Sequence, residues 1–196
     1  MVNKEAANND KPGVFALGLS VCRHVFAVIF LLLLSTCKSD AQNIAKRFIR
    51  VLQPDGNLYF VLPQTNFRSQ NARENFIMDI AFLDSKDSAT VNFTFFDRDL
   101  LIPKTITMVY DNWQYQTSVK QIYAEPERRR WQYRYTFDIP FEQLILFNRA
   151  SKPVITISTD SSPSISFHTI RRWKNNQEIN MRIFHIIQTN KTIANN

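Results

Sequence analysis

Trp131-Gln132-Tyr133-Arg134-Tyr135-Thr136-Phe137-Asp138-Ile139 decides the fold class. Apolar and polar side chains alternate with a period of two, so one face of an extended strand is aromatic and the other is wet. Upstream, Ala89, Val91, Phe93 and Phe95 alternate with Thr90, Asn92 and Thr94 in the same way. Phe76, Met78, Ile80 and Phe82 form a third stripe, whose opposite face is partly apolar through Ile77 and Leu83.

Turns supply the pairing. A two-residue loop at Asp111-Asn112 sets Tyr110 opposite Trp113, Met108 opposite Tyr115 and Ile106 opposite Thr117. Asp and Asn tolerate the positive φ of a tight hairpin, which matters in a chain with 3 glycines. Glu125-Pro126-Glu127 then separates a strand ending near Tyr123 from the strand at Trp131. Toward the C-terminus, a loop at Asn175-Asn176 opposes Phe167 to Phe184 and Ile165 to Ile186. A helix with Ile179, Ile183, Ile186 and Ile187 on one stripe fits the same residues, and β-branched enrichment favours the hairpin. Short helices are expected at Ile44–Leu52 and Phe141–Asn148, the second with Pro140 preset at its start. Asn66–Glu74 and Thr159–Ser164 read as loops, and Val154–Ser158 as a strand. The pattern predicts a mainly β protein, an antiparallel β-sandwich of about seven to nine strands with one or two short helices. The alternative is α+β with a C-terminal helix at about 171–188.

The first 41 residues differ in kind. Val25–Leu34 is a ten-residue apolar run preceded by Lys4, Lys11 and Arg23. It is short for a membrane span and suits an export signal. Ser39-Asp40-Ala41 offers a cleavage point before Gln42 and resembles the leader junctions of exported envelope proteins. Leu34-Ser35-Thr36-Cys37 resembles a bacterial lipobox, which would make Cys37 a lipidation site. An uncleaved anchor over Val14–Thr36 is the third possibility. All three place one β-rich domain, residues 42–196, outside the cytoplasm: periplasmic, outer-membrane-associated or secreted. Both cysteines, Cys22 and Cys37, fall in the leader, so disulfide and thiol chemistry leave the body.

Composition narrows function mainly by exclusion. Gly13, Gly18 and Gly56 are too far apart for a phosphate-cradling loop or a Gly-x-Ser-x-Gly elbow. His168 and His185 lack metal-ligand spacing, so no metal or other cofactor is expected. Ser164 and Ser166 flank His168 without making a triad, and Asp97, Asp99, Glu125 and Glu127 leave a carboxylate hydrolase arithmetically open. The chain carries a net charge of +7, with Arg128-Arg129-Arg130 its densest cationic run. That run could meet an anionic membrane surface or acidic glycan; beside Glu125 and Glu127, in an exported chain, nucleic acid is not the expected partner. Trp113 and Tyr115 could stack on sugars. The expected function is a non-catalytic exported module that binds or scaffolds envelope or extracellular components. Its partner would be an envelope protein, a glycan or an anionic membrane surface, with membrane contact only through the leader or a Cys37 lipid. The alternatives are a glycan-binding module using Trp113 and Tyr115, or a carboxylate-based glycan hydrolase. Asn92-Phe93-Thr94 and Asn190-Lys191-Thr192 are glycosylation sequons.

Overall fold

The computed structural model describes residues 44–69, 74–160 and 163–194. The leader, with Cys37 and both cleavage points, lies outside the described residues. The chain divides into two units at Asn43/Ile44, and the second carries all the structure described below. That unit is mainly antiparallel β with two helices, as the period-two stripes indicate.

Ten strands run in chain order: β1 Phe48–Gln53, β2 Gly56–Ser69, β3 Asn75–Leu83, β4 Ser88–Asp97 and β5 Pro103–Tyr110. Then come β6 Trp113–Ser118, β7 Lys120–Glu127, β8 Arg130–Pro140, β9 Val154–Thr159 and β10 Ile165–Thr169. Helix α1 (Phe141–Arg149) leads out of β8, and α2 (Trp173–Ala194) ends the unit. The strands form one sheet in the order β6-β5-β9-β10-β2-β3-β4-β8-β7, with β1 also pairing with β2. The layers of a sandwich are here two sides of this one nearly closed sheet. The strands at the two ends of this order, β6 and β7, are joined through Val119 alone, so these ends approach each other at that point. Curling is visible in the core as well. Phe95 on β4 and Phe167 on β10, three lanes apart in the sheet, bring their rings to 6.0 Å. Laid flat, those lanes would be about 14 Å apart.

The inner face carries the expected stripes. Phe76, Met78, Ile80 and Phe82, Val91, Phe93 and Phe95, and Tyr133, Tyr135, Phe137 and Ile139 are all buried. The helices fill the concavity. Phe141 of α1 stacks on Phe82 at 4.1 Å and meets Phe184 of α2 at 5.4 Å. Trp173 of α2 lies 5.2 Å from Phe67 and donates its indole N–H to the Ala150 carbonyl.

Four local expectations are corrected. Residues 171–188 are not a hairpin: α2 runs through them, and its buried positions Trp173, Asn180, Ile183, Phe184 and Ile187 follow helical spacing. Ile44–Leu52 is not a helix beyond its first residues; Ile49 and Val51 enter β1, which a two-residue turn at Pro54-Asp55 folds back on β2. The segment from Asn66 to Ser69 is strand rather than loop. The turn expected at Glu125-Pro126-Glu127 sits two residues later, because β7 is an edge strand and tolerates Pro126, which has no N–H to donate. The hairpin at Asp111-Asn112 has the expected register, with Asp111 at φ 50°.

Candidate functional site

Arg128 and Arg129 form the tip of the β7–β8 hairpin, and Glu127 pairs with Arg130 across it. Arg128 takes φ 58°, the left-handed region, and both tip side chains are exposed. Arg130 is different. Its Nη1 donates to Glu74 Oε2 at 2.9 Å, and its guanidinium lies 4.0 Å over the Phe96 ring. The run therefore splits into two solvated cations and one cation held by the body.

Trp113 and Tyr115 lie elsewhere. Both are on edge strand β6, on the face they share with Tyr110 and Met108. Tyr115 is half-buried and donates its hydroxyl to the Asp138 carbonyl at 3.1 Å, near the far end of β8 from Arg130. With 11 residues, β8 is about 36 Å long. Trp113 is 65% exposed at the hairpin tip, opposite Tyr110. The structure does not bring the arginines and these rings into one site.

A cleft of about 310 Å³ opens where β2, β3, β4 and β10 end, lined by Ser69, Glu74, Phe96, Asp97, Ser164 and His168. Two carboxylates thus share one hollow. Glu74 is paired with Arg130, and Asp97 Oδ1 accepts the Asp99 N–H at 3.0 Å in a local turn. Ser164 and Ser166 do not serve His168. Their hydroxyls pair with Ser158 and Thr156 of β9, at 3.3 and 3.0 Å. His185 is exposed on α2. Among the described residues, no group of three His, Cys, Asp or Glu is placed to hold a metal ion.

The surface that sequence reading did not single out is on the outer face of β1, β2 and β3. Register aligns Ile49, Phe60 and Ala81 in one row, and Val51, Leu58 and Leu83 in the next. Ile49 and Val51 are 49% and 45% exposed; Leu52, at the hairpin end and 82% exposed, alternates onto the other face of β1. Leu58–Leu62 has the Tyr59 hydroxyl as its one polar side-chain group, so both faces of that strand are largely apolar. The inner one is core; the outer one has no layer over it among the described residues. This was the available signal, together with Ile77 and Leu83 on the outer side of β3.

The adjoining outer face is polar and closed on itself. Asp79, whose side chain is fully buried, accepts from Arg134 at 2.7 Å and from Asn92 Nδ2 at 2.8 Å. Arg134 also donates to Thr94 Oγ1. The amide of the Asn92 sequon is thus engaged in the sheet, and that of Asn190 donates to the Tyr59 hydroxyl.

No family model, curated protein or solved structure matches this chain.

Proposed function

We propose that the chain is an exported module that binds or scaffolds envelope or extracellular components, without catalysis of its own. The observation that supports this is the apolar outer face of β1–β3, with the strand β1 at its margin. Contiguous exposed apolar surface of this kind marks interaction sites on soluble domains. Export rests on the leader: an apolar run too short to span comfortably, followed by Ala41-Gln42 or Cys37 as processing points. Mature protein beginning at Gln42, or an acylated Cys37, is the expected product in the native host. N-terminal sequencing with intact mass separates these, and an intact leader in a cytoplasmic fraction would overturn the localisation.

The cleft holding Glu74 and Asp97 favours one rival, a carboxylate-based glycan hydrolase. Photo-crosslinking residues at Val51, at Trp113 and at Ser164 compare the three surfaces in the native envelope. The binding-module reading expects crosslinks concentrated at Val51. Glycan cleavage that disappears in Glu74→Gln would make the hydrolase correct. Glycan binding lost in Trp113→Ala at unchanged melting would make the protein a sugar-stacking module.

A further inference from the structure

We propose that β1 is a docking edge that takes up an extended, acidic segment of a partner protein as an additional strand. The proposal rests on the binding-module reading and names the partner's chemistry. Three observations converge on it.

The first is the lane. β2 is paired along one side by β3 and along the other by two strands end to end, β1 at Gly56–Val61 and β10 at Phe67–Ser69. Beyond β10 the sheet continues with β9; beyond β1 it has no neighbour among the described residues. An added strand would lie beside β1, in line with β9.

The second is the backbone. The Leu62 N–H donates to the Arg47 carbonyl, one step beyond the opposed pair Phe48 and Val61, so it extends the same register. In an antiparallel ladder hydrogen-bonded pairs alternate, so Ile49 and Val51 bond to β2 while the N–H groups of Phe48, Arg50 and Leu52 point to the open edge. Strand addition satisfies such groups, whereas acyl chains cannot.

The third is charge. None of the ion pairs among the described residues involves Lys46, Arg47 or Arg50. Arg50 donates to Asn57 Oδ1 at 2.9 Å and lies 5.8 Å from the Tyr59 ring centroid. Pairing β1 with β1 of a second copy would gather the cations of both into one ladder with no carboxylate of its own. A partner strand with acidic side chains toward Arg50 and apolar ones beside Ile49 and Val51 meets both needs. Cross-strand pairs of opposite charge and of β-branched residues are favourable.

The test uses the full chain and a short synthetic peptide alternating valine with glutamate, beside its valine–lysine counterpart. The glutamate peptide should bind in a salt-dependent manner and slow hydrogen exchange at the amides of Phe48, Arg50 and Leu52. Arg50→Glu should weaken it by on the order of tenfold and admit the lysine peptide. Arg47→Glu, away from the Asn57 contact, should act in the same direction, with melting of both variants measured alongside. Equal binding of the two peptides, no binding of either, or protection at Trp113 or the cleft instead overturns the proposal. Protection that rises with protein concentration alone would make the occupant a second copy. Protection by phosphatidylglycerol vesicles but not by peptide would make it a lipid surface. Leader processing is read separately, so failure here leaves the export reading standing, and the reverse.

Discussion

Arg128, Arg129 and Arg130 are adjacent in sequence and unlike in environment, so their substitutions should separate. Arg128→Gln and Arg129→Gln should leave melting nearly unchanged, since exposed charges contribute little. Arg128→Gly should gain roughly 0.5 kcal/mol by relieving a left-handed backbone. Arg130→Gln loses the Glu74 pair and the Phe96 contact and should cost about 1 kcal/mol. Thermal melts of the singles check all of this; a triple variant would blur it. Arg134→Leu is the harsher change. It leaves the fully buried Asp79 carboxylate with Asn92 as its remaining partner and should cost about 3 kcal/mol. Denaturant melts that find less than half of this would show that water replaces the guanidinium. Tyr135 sets an alkaline limit. Burial, and then the charge of the neighbouring Tyr133, pushes its phenol up to about 12, while Tyr110 and Tyr133 are also raised by burial. A folded-state value above the unfolded one, near 10, means that this contribution is complete below the unfolded value and lost as pH rises through about 12. Phenolate absorbance should therefore appear together with loss of circular dichroism, and Tyr135→Phe should shift that limb upward.

Helix α2 is held by more than its apolar stripe. Asn176 Nδ2 donates to Asn66 Oδ1, Asn66 to Gln64, Gln64 to Asn180, Asn180 to Asn148, and Asn148 to the Leu144 carbonyl. The amides run head to tail and tie α2 to β2 and to α1. Asn180→Leu would strand both Gln64 Nε2 and Asn148 Oδ1 and should cost about 2–4 kcal/mol, read from denaturant melts beside the exposed control Asn175→Leu. The same relay explains why α2 was hard to read. Its buried face includes Asn176 and Asn180 where a sequence reader looks for aliphatics, which breaks the apolar stripe, while its isoleucines carry strand propensity. Strands β3, β4, β5, β6 and β8 were legible because their inner residues alternate without interruption, and the Asp111 hairpin because its turn chemistry permits one register. Strand β1 was misread because an edge strand has no continuous stripe to show: Phe48 packs toward Tyr59 while Ile49, Val51 and Leu52 stay exposed.

At the scale of the molecule, period two reveals strands but not lanes. Nothing local in Gly56–Ser69 says that its neighbours are β1, β3 and β10, so the curled single sheet and the open lane beside β1 became visible only in the pairing. The cleft was equally hidden, because Glu74, Asp97 and His168 are assembled from three strand ends far apart in sequence. The lane order also sets a timetable. Ser69 pairs with Phe167, and β5 pairs with β9, so the middle of the sheet cannot close until residues near 165 are available. Contacts at such separations make folding slow, in the millisecond-to-second range for comparable β topologies. Stopped-flow refolding should fall there, and a chain ending at Ser158 should fail to give a cooperative melt. Were the chain exported as proposed, threaded lengthwise through a translocation pore, that delay would be an advantage: the early strands would emerge with their partners still inside, and the cluster of rings at Phe67, Phe76, Phe167 and Trp173 would tighten only after transit.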